Sequence, residues 1–142
     1  MSKSLKIALV VFLVVAVGNG IGVYNSVGWI LEFGEEERVA LLNSPRLLVW
    51  FGELALAMIL GLTGAVAVLR HRSTIAWMSS VGLLLLQLAS IVASLVSGAY
   101  FLMGIGAQGA YWLGAAIYAW LVYACSVGAP WRRYFSGPVA DA

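Results

Sequence analysis

Apolar side chains are concentrated in four long runs along this chain, at about residues 5–23, 47–69, 74–99 and 110–127. The hydrocarbon core of a membrane is about 30 Å thick, and a helix of about 20 apolar residues crosses it. Each run is close to that length. The pattern therefore predicts an all-α membrane protein in which residues 1–142 form one transmembrane domain, a four-transmembrane-helix bundle.

The longest polar interruption is residues 27–44, an external segment between the first two runs. Trp29 and Phe33 suit the interface between lipid and water, and the stretch from Glu35 to Leu42 predicts a short helix lying on the membrane surface. Consecutive glutamates fan out by about 100° each around such a helix, so their carboxylates do not converge as metal ligands would. We interpret them as a solvated surface.

Basic residues are distributed unevenly around the four runs. Six of the eight precede the first run, join the second to the third, or follow the fourth: Lys3, Lys6, Arg70, Arg72, Arg132 and Arg133. The opposite side receives the acidic segment with Arg38 and Arg46, and an uncharged connection between the last two runs. Short loops rich in lysine and arginine stay in the cytoplasm, so both termini are predicted to be cytoplasmic.

The amino-terminal run also has features of a signal peptide. Lys3 and Lys6 precede the apolar stretch IALVVFLVVAV, which ends in the small residues AVG. We expect this run to be retained as the first membrane helix; its cleavage would leave three crossings.

Composition supports a membrane environment and excludes several classes of protein. Hydrophobic residues make up 63% of the chain and charged residues 10%, against about 25% charged in soluble domains. The single cysteine, Cys125, excludes oxidoreductases that use paired thiols, and we expect it to be a small packing residue. The single histidine, His71, cannot supply both ligands of a bis-histidine haem. We expect no cofactor, no metal and no nucleic-acid partner; the lipid bilayer is the first partner.

Three glycines and an asparagine alternate near the end of the first run, in VGNGIG. Freed backbone groups in lipid must be satisfied by protein or by water in a cavity. We interpret Gly18, Gly20 and Gly22 as a frayed helix end that packs closely on a neighbour. The alternative is a break that lines a substrate path, as in transporters.

Small residues recur every four positions on the second and third helices, where they allow close approach of helices in lipid. We predict packing roles inside the bundle for Ala57, Gly61 and Ala65, for Ser90, Ser94 and Gly98, and for Gly114 and Ala115. Dimerisation faces are the less favoured alternative, since the spacing does not identify the partner helix.

Aromatic residues near the ends of the runs predict two interfacial belts. The external belt would hold Trp29, Tyr100, Tyr111 and Trp112, and the cytoplasmic belt would hold Trp77, Trp131 and Tyr134. Such belts locate the membrane interfaces and imply no chemistry.

The second run contains one carboxylate, Glu53. The stretch NSPRLL predicts the start of its helix, with Asn43 or Ser44 as the cap and Pro45 in the first turn. At 1.5 Å per residue, Glu53 then lies about 12 Å inside the hydrocarbon. A charge near the centre of a membrane helix costs about 2.5–3.5 kcal/mol, so this side chain is expected to face protein, water or a partner.

Matching depths along the helices predicts which polar groups accompany Glu53. Ser90 and Tyr118 fall in its layer, and no basic residue does. Gln87 lies one turn deeper and Asn19 is shallower. In the interpretation that we favour, a protonated Glu53 hydrogen-bonds to Ser90, Tyr118 or a backbone carbonyl and so holds helices together. In the other, it takes up and releases a proton or binds a cationic group, and a cavity reaching Glu53 would favour this one.

The stretches YNSVGW, NSPRLLVWFGE, GLTGAVAVLRHRS and AWMSSVGLLLLQLAS occur in this order, with the acidic segment after the first. Over about residues 18–90 the chain thereby resembles an uncharacterised family of small bacterial inner-membrane proteins with four helices, some of which are labelled sugar-transporter-like. The resemblance implies the architecture and a multi-pass location in the bacterial inner membrane. It carries over no catalytic residue and no glutamate at position 53.

Three functions compete on this sequence. We favour a non-enzymatic integral membrane protein that acts through helix–helix association, as an accessory subunit or partner-binding protein, with another membrane protein or a homo-oligomer of itself. The alternative is a small proton-coupled carrier with Glu53 as the titrating site. An enzyme is least expected: Glu53, Tyr118 and Gln87 offer an acid–base set, but there is no nucleophile with its base and no phosphate-binding loop.

Overall fold

The computed structural model describes residues 3–126, and every regular element within them is helical. In chain order these are α1 (Lys3–Leu31), α2 (Glu35–Leu42), α3 (Pro45–Leu69), α4 (Ser73–Ser97), α5 (Ala99–Leu102) and α6 (Ile105–Ser126). Four residues with predicted roles lie outside the described residues: Arg132 and Arg133 of the basic set, and Trp131 and Tyr134 of the cytoplasmic belt.

Within residues 3–126, the helices α1, α3 and α4 are long and apolar enough to cross a membrane. Length and composition thus agree with the predicted helical membrane protein. Helix α6 has 22 residues and none is charged, but its glycines and tyrosines and Gln108 dilute its hydrocarbon content. A fourth crossing by α6 therefore stays a prediction.

The four long helices contact one another in a ring. Helix α1 packs along α3 in the most extensive contact, α3 packs on α4, α4 packs on α6, and α6 returns to α1. Phe12, Leu83, Leu121 and Cys125 are almost completely buried between them. The predicted packing role of Cys125 is therefore confirmed.

Close approach of α1 and α3 depends on the glycine at position 61. A Cβ there would lie 2.8 Å from the backbone nitrogen of Ala16 and 2.9 Å from the carbonyl oxygen of Phe12. Ala57 and Ala65, one turn to either side of Gly61, are also buried. The packing face that was predicted on this helix is thus confirmed as a contact within the chain.

The small residues of α4 serve different purposes. Ser94 is buried, and its hydroxyl donates to the carbonyl oxygen of Ile91 at 2.8 Å. The prediction that Gly98 packs against a helix is wrong. Gly98 follows the last residue of α4 with φ 78°, and a Cβ there would meet no described atom within 4 Å. Glycine suits this left-handed position because it has no Cβ to clash with the backbone.

Helix α1 continues to Leu31, beyond its predicted end near residue 23. Asn19 and Ser26 each donate to the carbonyl oxygen four residues earlier, at 2.8 and 2.6 Å. Gly20 and Gly22 admit side chains of α3, which would lie 3.4 Å from an added Cβ. Fraying of this segment is therefore a wrong prediction. Close packing on a neighbour is confirmed for Gly20 and Gly22 but is wrong for Gly18, where an added Cβ would meet no described atom within 4 Å.

The short second helix is confirmed at its predicted bounds, Glu35–Leu42. Ser44 occupies the cap position of α3 and Pro45 is the first residue of that helix, as predicted. The Ser44 side chain makes no capping hydrogen bond. Proline alone therefore provides the specific start of α3, because its fixed φ suits the first helical turn.

Helix α6 begins at Ile105, earlier than the predicted start near residue 110. The Gln108 side chain donates to the carbonyl oxygen of Tyr100 at 2.9 Å, which ties the first turn of α6 to α5. The indole nitrogen of Trp112 donates to the hydroxyl of Tyr100, also at 2.9 Å. Two residues of the predicted external belt are thus in direct contact.

Candidate polar cavity around Glu53

A cavity of about 180 Å³ is lined by side chains from all four long helices. The lining residues are Asn19, Trp50, Glu53, Leu54, Ala57, Leu83, Leu86, Gln87, Ser90, Tyr111 and Tyr118. Every residue that was predicted for the intramembrane polar site is among them. The structure therefore brings together groups that depth alone had placed in neighbouring layers.

Glu53 lines this cavity from the amino-terminal half of α3 and is half-buried. Its carboxylate has no hydrogen bond or ion pair with any residue in the described part of the chain. No lysine, arginine or histidine of the described residues lines the cavity. The Glu53 carboxylate thus faces the cavity without a compensating charge or hydrogen-bond donor among the described residues.

The hydrogen bond that would connect Glu53 to a neighbouring helix is not formed among residues 3–126. The Ser90 hydroxyl donates instead to the carbonyl oxygen of Leu86, at 3.1 Å on its own helix. The Tyr118 hydroxyl has no hydrogen-bond partner among these residues. The interpretation of Glu53 as a link between helices is therefore not supported by its contacts.

Gln87 links two helices at the edge of the cavity. Its side-chain nitrogen donates to the carbonyl oxygen of Tyr111 at 3.0 Å and so joins α4 to α6. Gly114 makes room for this bond, since a Cβ there would lie 3.0 Å from the same nitrogen. The predicted packing role of Gly114 is thus confirmed, and its partner is the Gln87 side chain.

The remaining polar groups of the cavity include both hydrogen-bond donors and acceptors. The amide nitrogen of Asn19 is engaged by the carbonyl oxygen of Val15, which leaves the Asn19 side-chain oxygen to accept. The carboxylate of Glu53 accepts only, and the hydroxyl of Tyr118 both accepts and donates. The Trp50 indole N–H only donates, so the carboxylate of Glu53, and not an excess of acceptors, is the feature that favours a small cation as a guest.

Two aromatic residues of the cavity, Trp50 and Tyr111, were not predicted as part of the site. Tyr111 had been placed in the external belt, and Trp50 had no predicted role. Trp50 precedes Glu53 by three residues, and Tyr111 precedes Tyr118 by seven. Both spacings put the pair on one helix face, so helical periodicity applied around the predicted residues would have identified them.

Glu53 and Trp50 also line a second crevice, of about 310 Å³, with Pro45, Arg46 and Val49. These residues belong to the first turns of α3, so the crevice lies at the end where that helix begins. Arg46 makes no ion pair with any described residue. Glu53 therefore lies between the inner cavity and a crevice at one end of α3, and the Arg46 guanidinium places a positive charge in that crevice.

Among residues 3–126, no group of three or more histidine, cysteine, aspartate or glutamate side chains is placed to hold a metal ion. Comparison with protein-family models, with characterised proteins and with solved structures finds no match for the chain.

Proposed function

We propose that this chain is a small, non-enzymatic carrier of the bacterial inner membrane that couples a proton to the movement of a small cation through Glu53. The observation that supports this function is a polar cavity reaching a half-buried carboxylate that has no partner among the described residues. An ionisable residue inside a membrane is expensive and usually functional. This observation favours the carrier over the purely associative role.

The proposed topology has four crossings, with both termini in the cytoplasm. Helices α1, α3 and α4 have the length and composition of spans, and α6 packs on α4 and α1 without carrying a charge. The uneven distribution of lysine and arginine sets the orientation. Reporter fusions at the two ends of the chain test this topology, and reporters on opposite sides of the membrane would contradict it.

The proposed mechanism is competition between a proton and a cation for one carboxylate. Ionised Glu53 attracts a cation into the cavity, where the side-chain oxygen of Asn19 and the ring of Tyr118 add favourable contacts. Protonation removes the charge and releases the cation. An engineered cavity of about 150 Å³ admits benzene, so a guest here has a similar number of heavy atoms. Cation binding is expected to weaken as pH falls.

Transport into proteoliposomes with an imposed pH gradient tests this mechanism. The probe is labelled tetramethylammonium, a small and permanently charged cation, and a trapped pH-sensitive dye follows protons. Wild-type protein should accumulate the probe, and Glu53→Gln should lower the rate at least tenfold, in the range expected on removing a proton-transfer group. Glu53→Asp should retain part of the rate. Glu36→Gln is the matched control because Glu36 is exposed on α2, outside the cavity.

Two results would refute the carrier proposal. The first is a Glu53→Gln variant whose rate and pH dependence equal those of the wild type. The second is wild-type protein that moves neither the probe nor protons above the level of empty liposomes. A loss in Glu36→Gln equal to that in Glu53→Gln would show a surface effect of charge and would also count against the cavity.

Association with another membrane protein, or with a second copy of this chain, is a second candidate function. One face of α1 favours it, because Val10, Val14, Val17, Ile21 and Tyr24 are each more than half exposed. Their alternating spacings of four and three residues match the period at which two helices interlock. Cysteines placed on this face should cross-link between copies if the chain associates with itself.

The cross-linking test uses Val14→Cys and Val17→Cys in a Cys125→Ser background. Leu62→Cys is the control, because Leu62 is also exposed but lies on α3. Selective cross-linking at the two α1 positions would support a homo-oligomer. Equal cross-linking at all three positions, or none together with a monomeric mass in mild detergent, would contradict it.

A further inference from the structure

Two arginines converge on one groove beside the turn between α3 and α4. The groove has a volume of about 520 Å³ and is lined by Arg70 and Arg72. Most of its other walls are hydrocarbon, including Leu62, Val66 and Ile75. A pair of cations thus adjoins an apolar surface that belongs to two helices able to span a membrane.

The backbone of the turn accounts for this convergence. His71 has a left-handed backbone, with φ 56°. The amide of Arg72 donates to the carbonyl oxygen of Ala67 at 2.8 Å, and the amide of His71 donates to that of Val68 at 3.2 Å. This pair of bonds is the Schellman ending of a helix. It reverses the chain within three residues and leaves both arginine side chains at the same groove.

Both guanidinium groups are available to a ligand. Neither has a hydrogen-bond or ion-pair partner among residues 3–126, and both arginines are exposed. No carboxylate from residues 3–126 lines the groove. A guanidinium group presents its N–H donors in a planar fork that matches two oxygens of a phosphate. The groove therefore offers phosphate recognition next to a hydrocarbon wall.

We propose that this groove binds an anionic phospholipid, with its phosphate on Arg70 and Arg72 and an acyl chain along Leu62 and Val66. Leu62 and Val66 are each 48% exposed on α3, so the hydrocarbon wall is uncovered and continuous with the surface of a candidate span. A free phosphate ion would contact the arginines but would not cover this hydrocarbon wall. Basic pockets between membrane helices are suited to anionic head groups. The proposal depends on α3 and α4 being spans and does not depend on Glu53.

Native mass spectrometry of the purified full-length protein in mild detergent tests the lipid site. The probes are phosphatidylglycerol and phosphatidylcholine with identical acyl chains, added in equal amounts. Wild-type protein should retain phosphatidylglycerol preferentially. Each arginine is expected to contribute about fivefold, since a basic residue near anionic lipid adds about 1 kcal/mol. The Arg70→Gln/Arg72→Gln variant should therefore lose most of the preference.

Two further variants separate the groove from general surface charge. Lys3→Gln/Lys6→Gln removes the same charge outside the groove and should retain the preference. Val66→Trp fills the hydrocarbon wall without changing charge and should lower retention of phosphatidylglycerol several-fold. This variant also tests the lipid site if the arginine variant does not fold.

Each of the following results would overturn the proposal: wild-type protein that retains the two lipids equally, equal losses in the arginine and lysine variants, or unchanged retention in Val66→Trp. Full displacement of the lipid by millimolar inorganic phosphate would identify an ion site and would overturn it as well.

Discussion

Replacing Gly61 with alanine tests how α1 and α3 are held together. The added Cβ would lie 2.8 Å from the nitrogen of Ala16 and 2.9 Å from the oxygen of Phe12, whereas ordinary contact begins at 3.4 Å. Both neighbours are backbone atoms of α1, so no side-chain rotation relieves the overlap. The helices have to separate locally by about 0.6 Å, the difference between the shortest distance and ordinary contact.

Two opposed effects set the magnitude. Overfilling a well-packed contact costs about 1–3 kcal/mol, whereas alanine is favoured over glycine inside a helix by about 1 kcal/mol. Gly52 on the same helix isolates the second effect, because it is exposed and a Cβ there would meet no described atom within 4 Å. Gly61→Ala is therefore expected to be less stable than Gly52→Ala by about 1–3 kcal/mol.

Titration of the purified proteins with sodium dodecyl sulfate in mixed micelles measures this difference. The helical circular dichroism signal reports unfolding, and the wild type, Gly52→Ala and Gly61→Ala are compared under identical conditions. Gly61→Leu should lower the unfolding free energy further, because a longer side chain needs a larger separation. Equal unfolding free energies for the two alanine variants would refute the reasoning, since the contact at Gly61 would then contribute nothing.

The same titration checks two other predictions. His71→Gly should raise the unfolding free energy by about 1 kcal/mol, because glycine has no steric penalty at a φ of 56°; an unchanged midpoint would contradict the left-handed turn. Gly114→Ala should be less stable than Gly52→Ala by about 1 kcal/mol, since the new Cβ would lie 3.0 Å from the Gln87 nitrogen and disturb its bond to Tyr111. In a Gln87→Leu background, Gly114→Ala should change the unfolding free energy by a different amount, because the effects of substitutions at contacting residues are not additive. An identical change would show that the two residues act independently.

The membrane helices could be predicted because the hydrocarbon content of a segment is a local property. The predicted runs 47–69 and 74–99 agree with Pro45–Leu69 and Ser73–Ser97 to within two residues at each end. The short helix Glu35–Leu42 was predicted for the same reason, from side chains within eight residues. Agreement is best where neighbours in sequence decide the structure.

Local patterns failed where a neighbouring helix decides what a residue does. Gly22 and Gly98 are the same amino acid near predicted helix ends, yet one admits a side chain of α3 within a continuous helix and the other ends α4. Asn19 and Ser26 bond back to their own helix and keep α1 intact. Neither outcome follows from glycine content alone, because the contact partners lie elsewhere in the chain.

The sequence by itself determined that this protein belongs in lipid, where its longest helices lie, and how deep Glu53 is along α3. Each of these depends on residues within one segment and on a fixed rise per residue. Tertiary structure alone decided that the carboxylate meets a cavity and not a hydrogen-bond donor, because the Ser90 hydroxyl bonds to its own helix and the Tyr118 hydroxyl remains unpaired among the described residues. Side-chain direction at equal depth is set by how four helices pack, and no single segment contains that information.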